Sequence, residues 1–524
     1  MTLEELLNLV SSDKAQGAPP RGNRPGICID SRLVKDGDIF VAVKGTVCDG
    51  HDFIDQAIAN GAKYIVCQQK ERWRRDDGRG TMFSRHTRGA GSRVRSHEII
   101  FVEDSAKAAA LLAQGRAGNP ASQLTNLAVT GTNGKTTVAY LVCSCIRAAG
   151  QKCGLIGTII YDTGSATSQA ILTTPDCLAI AETQQQMVKA GSKYMVVEAS
   201  SHALYQNRLA SIEFKAAAFT NLAGDHLDYH KTKEDYLAAK TKLFSALSPN
   251  ATAVLNRQSP EAELIAKKTK ADILWYAINE KADLVAHIES MDINGTRFSI
   301  LDTRYSSSIE AKTPLLGRYN VSNHLAAAGL CLAAGFDLQT IAAGLSALQA
   351  IPGRLERLDG DGFSVLIDYA HTDDALSNVL TTLKPLCKGK LIVVFGCGGD
   401  RDRTKRPRMA RVAEELADLV IVTSDNPRTE RPEDIINEIV AGFKSKPEIR
   451  ISDDGRGTSD EGRATKVIEP DRRKAIELAI KTAGKDDIVL IAGKGHENYQ
   501  IIGTQKLDFS DREEAQKLLY GQIR

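Results

Sequence analysis

The stretch that decides the fold is Leu127-Ala128-Val129-Thr130-Gly131-Thr132-Asn133-Gly134-Lys135-Thr136-Thr137. Its first four residues predict a buried strand, and a helix is predicted from Val138 to Ala148. A glycine-rich turn between strand and helix directs backbone N–H groups and the positive end of the helix dipole at one point, which favours a bound phosphate. Lys135 would reach the outer phosphates and the Thr136 hydroxyl would ligate Mg²⁺. We therefore predict a nucleotide phosphate loop here.

This loop departs from the general pattern GxxxxGK[ST] at one position. The pattern has a glycine five residues before Gly134, and this chain has Val129 there. The match is therefore to Gly134-Lys135-Thr136 and to the setting between strand and helix. A plain turn is the alternative, but a lysine and two threonines at the start of a helix favour nucleotide binding.

Short apolar runs alternate with helix-like segments outward from this loop in both directions. They predict βα units, parallel sheets and an α/β fold. The 524 residues exceed what one hydrophobic core accommodates, and the runs form three groups, so we predict domains at 1–122, 123–352 and 353–524. Gly118-Asn119-Pro120 and Ile351-Pro352-Gly353 are the predicted joints. The predicted strands are Asp38–Val43, Tyr64–Val66, Leu127–Thr130, Tyr194–Glu198, Ala216–Thr220, Val365–Asp368, Leu391–Phe395, Leu419–Thr423 and Ile488–Ala492.

Two segments rich in glycine and charge do not fit this alternation, and we interpret both as surface insertions. They are Glu71–Glu98 and Asp453–Thr465. The first carries many arginines that could bind an anion, but a solvated loop is the favoured interpretation.

The composition excludes several classes of protein. With 67 basic and 65 acidic residues, the net charge of +2 gives no general attraction to nucleic acid or to an acidic membrane. No apolar run approaches the roughly 18 residues of a membrane span. Met1–Val10 is predicted as an amphipathic helix without the basic start of a signal peptide. Ten cysteines without a CxxC pair favour buried thiols in a reducing compartment, so we expect a cytoplasmic protein.

Acidic residues follow two predicted strands after the phosphate loop. Glu198 comes at the carboxyl end of a strand, where ligands bind in open α/β sheets, and is a candidate Mg²⁺ ligand. The segment Gly224–His230 holds aspartates and histidines that could bind a metal or could cap a helix, and the spacing leaves both open. Lys240 lies on a predicted helix, where a lysine alone indicates nothing.

Further short motifs occur in a fixed order along the chain: Asp30-Ser31-Arg32, Gly37–Ala42, Asp49-Gly50-His51, Thr173–Asp176, Glu198–His202, Ala239–Phe244, Pro352–Glu356, Asp368–Thr372, Gly396–Asp402, Asp425–Arg428 and Gly493–Glu497. Together with the phosphate loop, they closely resemble the Mur ligases, and among these the enzymes that build UDP-N-acetylmuramoyl tripeptides. The resemblance covers nearly the whole chain outside the two insertions. It implies three α/β domains: a UDP-binding first domain, a central P-loop ATPase domain and a Rossmann-like C-terminal domain.

The resemblance also assigns roles by position. It implies that Lys135, Glu198, His226 and Lys240 are catalytic, and that Thr136, Glu198, His226 and a carbamylated Lys240 hold metal. The implied ATP contacts are Gly131, Thr132, Asn133, Gly134, Lys135, Thr136, Thr137, Asn323, Arg354 and Asp368, with His324 beside Asn323. The implied contacts to the UDP-muramoyl dipeptide are Ser31, Thr46 in the Thr46–Cys48 loop, Thr173, Thr174, Ser200, Gln206 and Arg208.

Asp425-Asn426-Pro427-Arg428 offers what an amino acid with two charged ends needs, an acceptor for ammonium and a planar fork for carboxylate. Pro427 stiffens the turn. A simple Asx-type turn is the alternative interpretation. In the Mur ligases this tetrapeptide marks the diaminopimelate-adding members, since lysine has no distal carboxylate for the arginine to bind. The resemblance implies that Arg401, Asp425, Asn426, Pro427, Arg428, Gly493 and Glu497 form this pocket.

The reaction that the resemblance implies is amide synthesis through an acyl phosphate. ATP and Mg²⁺ would activate the D-glutamate side chain of UDP-MurNAc-L-Ala-D-Glu, and the amine of meso-2,6-diaminopimelate would attack it. We expect small-molecule substrates only and a monomer.

The alternatives include a lysine-adding Mur ligase and a folylpolyglutamate-type ligase, which lacks the UDP-binding first domain. A non-catalytic protein on this scaffold would have lost Lys135, Glu198, Lys240 or Arg428, and all four are present. A regulatory P-loop ATPase is the weakest alternative, because no partner-docking surface stands out.

Overall fold

The computed structural model describes residues 25–46, 48–68, 97–224, 227–444 and 465–521, without the side chains of Leu227 and Asp228. Met1–Val10, most of both predicted insertions and His226 lie outside these residues. The ends of the insertions are corrected, because Glu98 and Thr465 each begin a strand that pairs in a sheet. Within the described residues, no helix has both the length and the apolar character needed to cross a membrane.

The first sheet has four parallel strands in sequential order. Apolar side chains of the central strands pack on both faces, against a short helix on one side and a longer helix on the other. The strands are β1 (Ile27–Cys28), β2 (Ile39–Val41), β3 (Tyr64–Gln68) and β4 (Glu98–Val102), and the helices are α1 (Ile54–Ala59) and α2 (Ser105–Ala117).

The second sheet has eleven strands and is parallel at its centre, where β5 lies between β9 and β10. Antiparallel strands extend it at both edges. Its strands are β5 (Thr125–Thr130), β6 (Cys153–Ile156), β7 (Ile160–Asp162), β8 (Thr167–Gln169), β9 (Tyr194–Glu198), β10 (Ala216–Phe219), β11 (Thr252–Asn256), β12 (Asp272–Ile278), β13 (Leu284–Asp292), β14 (Gly295–Asp302) and β15 (Ser307–Thr313).

Helices cover both faces of this sheet and bury one apolar cluster on each side. They are α3 (Lys135–Ala148), α4 (Cys177–Lys189), α5 (Ser201–Tyr205), α6 (Leu227–His230), α7 (Lys233–Ser245), α8 (Ala262–Ala266), α9 (Arg318–Ala333) and α10 (Leu338–Ala347). Since β5, β9 and β10 are neighbours and parallel, the loops that follow them meet at one edge of the sheet, where ligands bind in open α/β folds.

The third sheet has six strands in the order β16-β17-β21-β18-β19-β20, parallel except at β16. Its strands are β16 (Glu356–Asp359), β17 (Ser364–Asp368), β18 (Leu391–Phe395), β19 (Leu419–Val422), β20 (Thr465–Ile468) and β21 (Ile488–Ala492), followed by a hairpin of β22 (Tyr499–Ile502) and β23 (Gln505–Asp508). Its helices are α11 (Asp373–Leu383), α12 (Lys405–Leu416), α13 (Pro432–Val440), α14 (Arg472–Thr482) and α15 (Asp511–Tyr520).

The α/β class and the nine predicted strands are confirmed, with ends that differ by up to two residues. The helix after the phosphate loop begins at Lys135, three residues before the predicted Val138. The domain limits at 122 and 352 stay a prediction, although each falls between two of the sheets.

Candidate functional site

The phosphate loop follows β5 and leads into α3 without a side-chain cap on the helix. Gly131 and Gly134 have φ values of 148° and 89°, in a region that favours glycine. A Cβ at Gly134 would collide with the Asn323 side chain, and one at Gly131 would collide with the Thr220 hydroxyl. The loop therefore has to be glycine at both positions, and the first N–H groups of α3 stay available for an anion.

Two lysines converge on this loop. Lys135 Nζ donates to the carbonyl oxygens of Gly131 at 3.0 Å and Thr132 at 2.8 Å, and the buried Lys240 Nζ donates to Gly131 at 2.8 Å. The Lys240 ammonium also lies 4.3 Å from the centre of the Tyr236 ring. The structure thus brings Lys240, on α7, to the same carbonyl as Lys135, on α3.

Thr136 and Glu198, predicted as metal ligands, are in direct contact. Glu198 Oε2 accepts from Thr136 Oγ1 at 2.9 Å and from Thr158 Oγ1 at 2.8 Å, while Oε1 accepts from the Thr158 N–H at 2.8 Å. A hydroxyl and a carboxylate are oxygen donors of the kind that Mg²⁺ prefers. Among the described residues, no three His, Cys, Asp or Glu side chains cluster as a metal site, and the predicted ligand His226 lies outside them.

The remaining predicted nucleotide residues reach the loop from two sides. Asn323, on α9, abuts Gly134, and Arg354 Nη2 donates to Thr136 Oγ1 at 3.4 Å. The Arg354 guanidinium stacks 4.7 Å from the Tyr369 ring. Thr132 and Thr137 are buried within the loop and the first turn of α3.

Asp368 accepts backbone N–H groups from Leu355 and Ala370, both at 2.8 Å, so its carboxylate fixes the chain around Arg354. Burial raises its pKa, against the lowering effect of Arg354 and of these N–H groups. His324 is fully buried, packs 5.2 Å from the Phe298 ring and bonds to Asn320 O. Its contact with a nucleotide stays a prediction.

A cleft of about 830 Å³ opens where the first sheet meets α4 and α5. Its lining includes the predicted residues Ser31, Gln206 and Arg208, together with Arg32 and Cys48. Thr46 lies on the exposed loop next to Gly45, which also lines the cleft. A cleft between two sheets, with arginines in its wall, suits an anionic ligand of nucleotide size.

Hydrogen bonds connect this cleft to the phosphate loop. Arg208 Nη1 donates to Thr174 O at 2.6 Å, while Thr174 Oγ1 donates to Glu198 O at 2.5 Å and lies 3.1 Å from Ser200 Oγ. Thr173 Oγ1 lies 3.2 Å from Thr158 Oγ1, beside the Glu198 carboxylate. The residues predicted for the muramoyl peptide therefore run from the cleft to the predicted metal ligands.

The third predicted pocket lies at the carboxyl ends of β18, β19 and β21. Asp425 Oδ1 lies 3.1 Å from Lys494 Nζ, and Asn426 Nδ2 donates to Glu497 Oε2 at 2.9 Å. Gly493 borders Asp425, where an added Cβ would make ordinary contact 3.6 Å from Oδ2. Burial and the Asp425 charge raise the pKa of Glu497.

Arg428 and Arg401 meet on the other side of this pocket, around Gly398. Arg428 Nη1 donates to Gly399 O at 2.8 Å, and Arg401 Nη1 donates to Asp400 O at 3.0 Å. Arg428 has a φ of 52°, and Pro427 immediately precedes it. The two guanidinium groups and the carboxylates of Asp425 and Glu497 all act electrostatically on Tyr499, so they lie in one region, and their role in binding an amino acid stays a prediction.

Several supporting residues were not predicted. Thr158 orients Glu198, Tyr236 lies over Lys240, and Lys494 and Arg472 are fully buried cations beside Asp425. The segment Gly493–Glu497 was singled out, but Lys494 within it was not. Two flanking glycines and a neighbouring strand end were the signal that could have indicated a buried lysine.

Comparisons with known proteins agree with the three-part fold. Three family profiles match: Mur ligase family, catalytic domain at 25–116; Mur ligase middle domain at 129–331; and Mur ligase, glutamate ligase domain at 353–495. The UDP-N-acetylmuramoyl-L-alanyl-D-glutamate–2,6-diaminopimelate ligase of Geobacillus thermodenitrificans is 41% identical over 502 residues, covering 94% of each chain.

Solved structures give the same relationship. A UDP-N-acetylmuramoyl-L-alanyl-D-glutamate–2,6-diaminopimelate ligase structure is 32% identical with a TM-score of 0.66, covering 99% of this chain and 98% of that one. A MurF ligase from Thermotoga maritima in complex with ADP shares the fold, with a TM-score of 0.58, 19% identity and coverage of 94% and 97%. The chain therefore belongs to the Mur ligase family of ATP-dependent ligases.

Proposed function

We propose that this chain adds meso-2,6-diaminopimelate to UDP-MurNAc-L-Ala-D-Glu in peptidoglycan synthesis, forming ADP and phosphate. The observation that carries the proposal is the group of charged residues at Asp425–Arg428, where Asn426 bonds to Glu497 and the side chains of Arg428 and Arg401 lie beside Gly398. An amino acid with an ammonium and a carboxylate at its distal end matches that combination. The names of the full-length relatives support the same reaction.

The first step is activation of the D-glutamate side chain. A carboxylate oxygen attacks the γ-phosphorus of ATP, the bond to the bridging oxygen breaks, and ADP leaves with that electron pair. Two anions approach each other in this step, so positive groups have to screen them. Lys135 and the N-terminal N–H groups of α3 provide that screening, and Arg354 adds a guanidinium within reach of Thr136.

Mg²⁺ is part of the proposal. The contact between Thr136 Oγ1 and Glu198 Oε2 supplies a hydroxyl and a carboxylate for it, with His226 as a further ligand. Carbamylation of Lys240, whose Nζ meets the Gly131 carbonyl, would turn its cation into another carboxylate beside the phosphate loop. Bound there, Mg²⁺ would neutralise the phosphate oxygens of the nucleotide and of the acyl phosphate.

The second step is attack of the amine on the acyl phosphate. The nitrogen lone pair forms the C–N bond, the tetrahedral intermediate collapses, and phosphate leaves as the amine loses a proton. The protein's part here is positioning: Asp425, Glu497, Arg428 and Arg401 fix the distal end of the amino acid so that its other amine faces the activated carbonyl. The part of the cleft with Ser31 and Cys48 would hold the UDP end, and Arg208, through Thr174, would hold the muramoyl peptide towards Glu198.

The proposal also covers the setting of the reaction. We propose a monomer in the cytoplasm that acts on small molecules. These points are in keeping with the composition of the chain and with its proposed nucleotide-sugar substrate.

The deciding experiment measures phosphate release from ATP, Mg²⁺ and UDP-MurNAc-L-Ala-D-Glu with each candidate amino acid. We expect release that depends on meso-diaminopimelate and is far slower with L-lysine. Mass spectrometry of the product should show the amide. Phosphate release that depends on L-lysine would support a ligase but contradict diaminopimelate as its substrate. Release with neither amino acid would overturn the proposal.

A further inference from the structure

Lys494 lies at the centre of the amino-acid pocket, yet its side chain is completely buried, at 0% exposure. Its ammonium donates to Asn426 Oδ1 at 3.0 Å and to the Tyr499 carbonyl at 2.8 Å, and lies 3.1 Å from Asp425 Oδ1. Two of the three N–H groups of the ammonium meet Asn426 and Tyr499, and the third is left for the buried Asp425 oxygen. Burial of an ammonium group costs free energy unless the group is paired, so a fully buried lysine at this position indicates a specific role.

One consequence of this position is the orientation of the Asn426 amide. Its Oδ1 accepts from Lys494 Nζ and from the Ile501 N–H at 3.0 Å. Both partners are donors, so a flipped amide would place its NH₂ group against two N–H groups and lose both hydrogen bonds. Its Nδ2 is therefore held towards Glu497 Oε2, at 2.9 Å.

A second consequence is that Lys494 joins the turn at Asp425–Arg428 to the hairpin of β22 and β23. The Tyr499 carbonyl that it binds is on β22, and Gln500 Nε2 donates to Asp425 O at 2.8 Å. The Arg428 N–H donates to Ile501 O at 3.1 Å, and Gly503 N donates to Arg428 O at 2.7 Å. The hairpin thereby holds Arg428 in its left-handed conformation, which costs a non-glycine residue of order 1–3 kcal/mol.

The charges around Lys494 are also unequal. The other buried cation, Arg472, is paired with Asp511, both at 0% exposure, through hydrogen bonds of 2.7 Å from Nε and Nη2. Asp425 and Glu497 then share Lys494 alone as their close ammonium. Lys494 is therefore shared by two carboxylates, and the charge of Arg428 acts on Glu497 as well.

We infer that Lys494 is a positioning and specificity-determining residue, which orients Asp425 and Asn426 to receive the ammonium group of a bound amino acid. The inference rests on the proposed function, and it deepens that function by assigning the ammonium selectivity of the pocket to a residue that does not face the substrate. Lys494 acts through its two acidic neighbours and the Asn426 amide.

The electrostatics of the two acids support this role. Burial alone would raise the pKa of Asp425, but Lys494 and Arg472 outweigh it and hold that pKa below its ordinary value. For Glu497, burial and the Asp425 charge raise the pKa, and Lys494 opposes them. Loss of the lysine should therefore raise the pKa of both carboxylates.

The test replaces Lys494 by Met, which removes the charge, and by Gln, which removes the charge and retains a donor for the Tyr499 carbonyl. Lys506→Met is the matched control, because Lys506 is on the same hairpin, over the outer face of the Tyr499 ring. We expect the KM for diaminopimelate to rise at least about thirtyfold in Lys494→Met, the loss typical of removing one partner of a buried charge pair. The KM values for ATP and the UDP substrate, and the KM of the control, should stay within about twofold of the wild type.

The pH dependence separates this role from a purely structural one. The ratio of variant to wild-type KM should fall as the pH rises from about 6.5 to about 8.5, because the raised carboxylates then regain their charge. Arg472, Arg428, His371, Tyr369 and Tyr499 also face Asp425 or Glu497. These groups, and the amines of the substrate, are common to both proteins, so their titration cancels in the ratio.

The outcomes are distinct. If the wild type shows no diaminopimelate-dependent phosphate release, the proposed function fails before Lys494 is tested. If the wild type is active and the diaminopimelate KM of the variants changes less than threefold, or rises by a factor that does not depend on pH, the inference on Lys494 is wrong and the proposed function stands. Should Lys494→Met fail to fold, Lys494→Gln is judged by the same two criteria.

Discussion

The Asn133 side chain, in the phosphate loop, donates a hydrogen bond of 2.9 Å to the Asp374 carboxylate, in the first turn of α11. Asn133 follows a strand of the second sheet and Asp374 follows a strand of the third, so the contact joins the phosphate loop directly to the part of the chain with the proposed amino-acid site. Arg354 to Thr136, at 3.4 Å, and Gln169 to Asn498, at 3.2 Å, cross the same boundary. Burial and the adjacent Asp373 raise the pKa of Asp374, and Asn133 opposes them.

Replacing Asp374 by Ala should slow the reaction without unfolding the protein. The variant loses a contact that exists only when the two parts are together, so we expect kcat to fall about tenfold, the usual size of a coupling between sites. Steady-state phosphate release and a thermal melt measure both properties. Asp361→Ala, on the exposed turn before β17, is the control. A kcat equal to that of the wild type would show that this contact between the two parts of the chain does not contribute to the reaction.

Lys135→Met should remove most of the catalysis and leave the fold intact. The variant loses the ammonium beside the transferred phosphate, and we expect kcat to fall by a factor of at least about 10³, as for other groups that stabilise charge in a transition state. Lys152→Met, at an exposed lysine on the same sheet, should behave like the wild type. Phosphate release at saturating substrates is the measurement. A decrease in kcat of less than tenfold would indicate that Lys135 only stabilises the conformation of the loop.

Arg428→Ala should lower the activity with meso-diaminopimelate much more than the activity with L-lysine. Loss of a charged hydrogen-bond donor to the distal carboxylate should lower kcat/KM for meso-diaminopimelate about a hundredfold. The low activity with L-lysine should barely change, because lysine has no group there to lose. The exposed Arg431, three residues further along, provides the control variant Arg431→Ala. Equal losses with both amino acids would argue that Arg428 only shapes the pocket.

His324 should make the stability of the protein depend on pH. Burial lowers its pKa to about 4, below the ordinary 6.5. Between these values the unfolded chain binds a proton that the folded protein excludes, so stability is lost as the pH falls from about 6.5 towards about 4. From pH 7 to pH 5 the free energy of unfolding should fall by about 2 kcal/mol on account of this residue.

Urea unfolding at both pH values tests this prediction. His324→Gln keeps a donor for the Asn320 carbonyl but does not titrate, so its stability should fall about 2 kcal/mol less than that of the wild type. His287→Gln, at an exposed histidine, should keep the full decrease. A decrease of the same size in His324→Gln and in the wild type would contradict the assignment.

Much of this arrangement can be predicted from local sequence. Strand ends such as Thr130, Glu198 and Asp368 can be predicted because apolar runs stop there. Parallel strands of one sheet then bring their carboxyl ends to the same edge. The antiparallel strands β13 to β15 were not predicted, since they alternate polar and apolar residues and depend on pairing at a sheet edge. Lys494 was missed because sequence does not distinguish a buried lysine from a solvated one. The different surroundings of Asn323 and His324 could not be predicted either, because a helix presents adjacent residues to different neighbours, here Gly134 and Phe298.

The hairpin of β22 and β23 follows the third sheet along the chain and lies near the end of the described residues. Because it fixes Arg428 through backbone atoms, its own side chains are largely free to vary while the selected amino acid stays the same. Conversely, a shift in hairpin length would move Arg428 without altering any residue that meets the substrate. Evolution could therefore change the composition of a cell wall through a segment that carries no recognition motif.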